Sequence, residues 1–91
     1  MDSLSKIQTI VHEMRGIPYF LLLEYLVELG GVLVSDSAVK GEGWLVELTK
    51  MEPFQIGSLV VGQTRLTMTL EEAFADDFMA RFQKKTLRAG G

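Results

Sequence analysis

The spacing of apolar positions along the chain changes several times, and each change marks an element. Over Ser5 to Met14 two periods compete: Leu4, Ile7, Val11 and Met14 fit a helical stripe, while the Thr9-Ile10-Val11 centre favours a strand, which is the reading taken. Tyr19 to Leu29 is dense in helix formers, with Pro18 suited to a first helical turn and Gly30-Gly31 supplying a stop. Only Glu24 and Glu28, one turn apart, mark a wet edge on this helix. So apolar a helix predicts either deep burial or cover by a partner subunit.

From Val32 onward the period is two. Val32 to Val39 predicts a strand, Lys40-Gly41-Glu42-Gly43 a hairpin turn, and Trp44 to Met51 a strand with Trp44, Val46 and Leu48 on one face. Glu52-Pro53 predicts a break. Phe54, Ile56, Leu59 and Val61 then change parity across Gly57-Ser58, the pattern of a bulged strand. Gly62-Gln63 predicts another turn, and Thr64 to Leu70 a strand that points Leu66, Met68 and Leu70 inward. A capping-box pattern, Thr69-Leu70-Glu71-Glu72, opens a closing helix on which Phe74, Phe78 and Phe82 stack at i, i+4 beside Ala75 and Met79. Acidic residues lie early in it and Arg81, Lys84, Lys85 and Arg88 late, an order that complements the helix dipole. The string is β-α-β-β-β-β-α, an α+β fold whose antiparallel sheet carries its helices on one face. That order resembles TATA-binding-protein-like (TBP-like) and helix-grip-like arrangements. The predicted core is Trp44, Val46, Leu48, Leu66, Met68, Phe74, Phe78 and Phe82.

With 91 residues the chain has room for a single domain, expected over residues 1–87, with 88–91 as a flexible C-terminal tail. A net charge of −3 offers no positive field for a phosphate backbone, so nucleic acid is not an expected partner. The absence of cysteine removes disulfide, thiolate and cysteine-zinc chemistry and agrees with a reducing, cytoplasmic home. The apolar run Ile17 to Leu23 is far short of the roughly 20 residues of a membrane span, and the first residues lack the basic start of a secretory signal. No membrane association is expected.

Candidate chemistry is sparse, and the expectation is a non-enzymatic protein without metal or cofactor. His12 is the sole histidine and has no cysteine to share a metal site or a catalytic pair. Glu24 and Glu28 have no accompanying base or nucleophile, Ser35-Asp36-Ser37 lacks the nucleophile-elbow pattern, and the glycines of Gly41-Glu42-Gly43 belong to a hairpin rather than to a dinucleotide fingerprint. Trp44, in register with Val46 and Leu48, reads as a core anchor. Arg81, Lys84 and Lys85 form a basic patch suited to docking an acidic enzyme face.

The ending Leu87-Arg88-Ala89-Gly90-Gly91 calls for a separate account, since two consecutive terminal glycines arise by chance in about 0.5% of chains. A carboxylate on two residues without side chains is what an ATP-dependent adenylating enzyme needs in a tail that threads a narrow channel. The ending resembles the Leu-Arg-Gly-Gly termini of ubiquitin-like modifiers and the Gly-Gly ending of bacterial sulfur carriers; as the alternative, Gly90-Gly91 after a basic last turn reads as a helix C-cap. The β-grasp fold of those proteins begins with a hairpin, whereas here one segment precedes the first helix and four strands follow it. The body, through Gly16-Ile17-Pro18, Leu26 to Gly31, Gly43-Trp44-Leu45-Val46 and Gly57-Ser58-Leu59-Val60-Val61-Gly62, resembles the C-terminal domain of sulfur-carrier-related (MoaD-related) proteins. This resemblance implies a place near sulfur transfer. Two readings stand: a small interaction or ligand-binding domain, with an adenylating or sulfur-transfer enzyme as its protein partner, and a carrier or modifier activated at Gly91. Self-association as a homodimer through the Pro18 to Leu29 helix or a sheet edge is expected from either.

Overall fold

The computed structural model describes residues 6–90, with side chains described up to residue 87. The elements follow the order β1 (Ile7–Arg15), α1 (Tyr19–Glu28), β2 (Val32–Ser35), β3 (Ala38–Gly41), β4 (Trp44–Ile56), β5 (Leu59–Glu71) and α2 (Glu72–Gly90). The five strands form one antiparallel sheet in the order β1-β5-β4-β3-β2. The first segment is therefore a strand. It returns to the far end of the chain, pairing along its whole length with β5 from Ile7↔Glu71 to Arg15↔Gln63.

Both helices pack on one face. Val39, Trp44, Val46, Leu48, Leu66, Met68 and Leu70 from the sheet meet Leu22 and Leu26 of α1, and Ala75, Phe78 and Phe82 of α2. Seven of the eight expected core residues are buried; the eighth, Phe74, is half-buried against Gly43. Gly43 has φ +81°, a conformation that favours glycine, and a Cβ there would run into the Phe74 ring. The Glu42-Gly43 turn thus sets both the β3–β4 hairpin and the seat of the first turn of α2.

The strand boundaries differ from the sequence-based expectation in compensating ways. Val32 to Val39 is not one strand but a tight hairpin, reversed at Asp36-Ser37, where the Ser37 N–H donates to the Ser35 hydroxyl. Conversely, Glu52-Pro53 does not end β4. The register slips by one residue between Met51 and Phe54, a bulge, and the strand continues. Proline is tolerated there because β3 pairs only with the Trp44 to Glu47 part of β4, so that this stretch of β4 is hydrogen-bonded on one side alone. The chain reverses at Gly57-Ser58, with Ile56 opposite Leu59, and Gly62-Gln63 lies inside β5. The parity change there is a hairpin turn rather than a bulge.

The expected capping box does not form. Thr69 is committed to the ladder, opposite Thr9 on one side and Leu45 on the other, and strand passes into helix at Glu71/Glu72 without a loop. The Glu71 and Glu72 N–H groups donate instead to the carbonyls of Gly43 and Lys6. Nor is α1 buried all round: Leu22 and Leu26 are fully buried, while Phe20 and Val27 are exposed.

The two thirteen-residue strands make the molecule long, 54 Å by 22 Å by 22 Å. Beyond Arg15↔Gln63 neither β1 nor β3 flanks them, and they leave the body as a two-stranded arm. No helix among the described residues is long and apolar enough to cross a membrane.

Candidate functional site

The arm and the start of α1 enclose an open groove of about 560 Å³. Gly16, Ile17, Pro18 and Tyr19 form one wall; Met51, Pro53 and the run Leu59-Val60-Val61-Gly62 form the other. Its floor is closed by the Gly16 N–H donating to the Gly62 carbonyl at 3.0 Å. Gly16 makes the corner between β1 and α1 with φ +84°, which is why glycine suits that position. A cation stands at the rim, the Lys50 ammonium 5.5 Å from the centre of the Tyr19 ring.

The register of the arm places Phe54, Ile56, Leu59 and Val61 on one face, as cross-strand pairs Phe54↔Val61 and Ile56↔Leu59. Ile56, Leu59 and Val60 are each more than half exposed. At the arm's root the Arg15 guanidinium lies 3.8 Å from the centre of the Phe54 ring and donates to Gln63 Oε1 at 2.9 Å. Gln63 in turn donates through Nε2 to the Glu52 carbonyl at the bulge. These contacts stiffen the root while leaving the tip apolar and open. A two-stranded ribbon standing alone is marginally stable, so an apolar one that protrudes calls for an occupant.

The basic patch read from the sequence is largely engaged within the molecule. Arg81 donates to the Leu29 carbonyl at 3.2 Å, serving the C-terminal end of α1, and pairs with Asp77 at 3.1 Å. Lys85 pairs with Glu28, which ties the last turns of the two helices together. Lys84 is exposed beside them, and all three border a shallow depression at Leu29. The three side chains share one surface, and two of their charges are offset by Asp77 and Glu28.

Of the proposed tail, Leu87 is exposed on α2, which runs to Gly90. The side chains of Arg88 and Ala89, and all of Gly91, lie outside the described residues. His12 sits in β1 opposite Leu66 and is half-buried. Ser35, Asp36 and Ser37 form the β2–β3 turn, where the Asp36 carbonyl accepts from the Tyr19 hydroxyl at 3.2 Å. Trp44 is buried, as its register implied. Among the described residues no group of three or more His, Cys, Asp or Glu side chains could hold a metal ion.

Sequence reasoning missed the groove and the arm as a site. The signal was present: between Glu52 and Arg65 no residue carries a charge, and Phe54, Ile56, Leu59, Val60 and Val61 lie close together in that stretch. Reading it as a bulged strand within the sheet concealed that none of the described residues covers it.

No curated protein matches the chain. A family model described as archaeal MoaD-like protein matches residues 10–91, nearly the whole sequence, and the chain belongs to that family.

Proposed function

We propose that the chain is a non-enzymatic interaction module that docks an adenylating or sulfur-transfer enzyme through its apolar arm and the groove at the arm's base. One observation carries this reading. Two segments that bear the MoaD-related resemblance, Gly16-Ile17-Pro18 and Leu59-Val60-Val61-Gly62, are far apart in sequence and meet as opposite walls of one groove. A core alone would need apolar residues at those positions, but it would bury them; here Leu59 and Val60 are more than half exposed. Exposed apolar side chains around a concave surface are what a protein partner with a complementary ridge would cover. The test is complex formation with the adenylating enzyme encoded in the same genome, followed by size exclusion at tens of micromolar. A complex that Leu59→Arg abolishes supports the reading; no complex with the unaltered chain overturns it.

The second reading, a carrier activated at Gly91, draws on the family match, which extends to that residue. In that chemistry the carboxylate oxygen attacks the α-phosphate of ATP, pyrophosphate leaves, and sulfide displaces AMP from the acyl-adenylate to give a thiocarboxylate. The order of elements, with one strand ahead of α1, differs from the hairpin-first order of β-grasp carriers and favours the interaction module. Intact mass after incubation with ATP, sulfide and the adenylating enzyme separates the two: replacement of one oxygen by sulfur establishes the carrier.

A further inference from the structure

We infer that the β2 edge of the sheet, together with the adjoining flank of α1, is the surface through which two copies of this chain associate. β2 closes the sheet opposite β1, and among the described residues no strand lies beside its outer backbone edge. Val32, Leu33 and Val34 in that strand are 68%, 53% and 55% exposed. Leu33 lies opposite Val39, a core residue, so it is on the helix-covered side of the sheet, while Val32 lies opposite Lys40 on the open side.

The helix layer continues the same apolar edge. Leu22 and Leu26 turn α1 toward the core, and Glu28, held by Lys85, fixes the side that faces α2. At 3.6 residues per turn, Leu23, Val27 and Phe20 then occupy the flank turned away from α2, toward β2. The Tyr19 hydroxyl on the Asp36 carbonyl pins that flank beside the β2–β3 turn. Strand and helix flank together present an uncharged, two-layer edge.

Charge and symmetry select a second copy of this chain as the occupant. The opposite edge strand, β1, carries His12, Glu13 and Arg15, the kind of residues that blunt an edge against pairing. β2 carries no charge; its only protection is its shortness and the register slip between Leu33 and Ser35. Two copies of β2 related by a two-fold axis perpendicular to the sheet pair antiparallel, and residues opposite each other must share a face. Centring the pair on Leu33, ahead of the register slip, sets Leu33 against its own copy under the two α1 flanks. The Asp36 side chains then fall at opposite ends of the pair, whereas a parallel arrangement would bring these like charges together. The contact involves fewer residues a side than a standard interface, which places the dimer in the weak, reversible class.

The chain has no cysteine, so a single introduced one reports its neighbour without interference. Leu33→Cys placed across the two-fold brings the two Cβ atoms to about 4.5–5.5 Å, near disulfide reach. Mild oxidation at 100 μM should cross-link Leu33→Cys at least about tenfold faster than Val11→Cys, an exposed position on β1. Sedimentation of the full chain should show a monomer–dimer equilibrium that Leu33→Asp, or Val34→Lys if the first variant fails to fold, shifts at least about tenfold toward monomer. A monomer at the highest concentration the chain stays in solution, equal cross-linking at the two positions, or a dimer that survives both variants and dissociates with Leu59→Arg overturns the inference.

Discussion

The Trp44 ring lies on the Phe78 ring with centroids 4.6 Å apart and planes inclined by 35°. This pair joins the first residue of β4 to the middle of α2, and Phe82 extends it at 5.9 Å. Phe78 is 1% exposed. Removing its ring leaves a cavity that α2 cannot close without pulling away from the sheet, so Phe78→Ala should cost about 3–5 kcal/mol in denaturant unfolding. A loss below about 1 kcal/mol would mean that the stripe does not anchor the helix layer.

Gly43 and Gly62 provide a contrast in backbone demand. Gly43→Ala combines a left-handed conformation with a clash against the Phe74 ring and should lower stability by about 1–3 kcal/mol. Gly62 has no such φ, and beyond its own chain neighbours no atom of the described residues lies within 4 Å of the position an added methyl would take, so Gly62→Ala should fall within about 0.5 kcal/mol of the unaltered chain. Thermal melts of the two variants side by side check this; equal losses would contradict the turn geometry.

How much of this was legible beforehand follows from what periodicity encodes. Alternation identified the inward set of β4 and β5 and the i, i+4 aromatic stripe of α2, because these are local consequences of period two and period 3.6. Turn residues misled where tertiary pairing overrode them. Asp36-Ser37 reverses the chain without glycine or proline, Pro53 sits in a bulge rather than a break, and Gly62 remains in a ladder held by Met14 to Gly16 and by β4. Thr69 matched a helix cap by spacing, yet its backbone groups were already engaged by two neighbouring strands. Exposure was beyond reach for the same reason: the apolar alternation of the arm is that of a buried strand, and only the lateral limits of β1 and β3 leave it in water.

The link between the two helix ends is modest in energy. The Lys85 and Glu28 side chains are about a third and a half exposed, so the ion pair is screened and Lys85→Ala should cost no more than about 1 kcal/mol. Arg81→Ala removes both the pair with Asp77 and the donor to the Leu29 carbonyl, and about 1–2 kcal/mol is expected. A double-mutant cycle over Arg81 and Asp77 separates the two contributions; a coupling equal to the whole loss would leave the Leu29 contact without effect.

Deleting Gly90 and Gly91 should leave stability within about 0.5 kcal/mol, since among the described residues the last buried one of α2 is Phe82, two turns earlier. On the interaction reading the truncated chain still binds the adenylating enzyme. A loss of binding together with loss of an ATP-dependent adduct would transfer the function to the tail.

Hydrogen exchange read by mass spectrometry tests the docking claim most directly. In the isolated chain, amides of the arm between Phe54 and Val61 should exchange well ahead of those in β5 from Leu66 to Leu70, which lie between two strands. Adding the adenylating or sulfur-transfer enzyme should slow exchange at the arm and at Ile17 to Tyr19 across the groove, with Val11 and the rest of the β1 edge unchanged. Protection confined to the end of α2, with the arm exchanging as fast as in the free chain, would contradict the account.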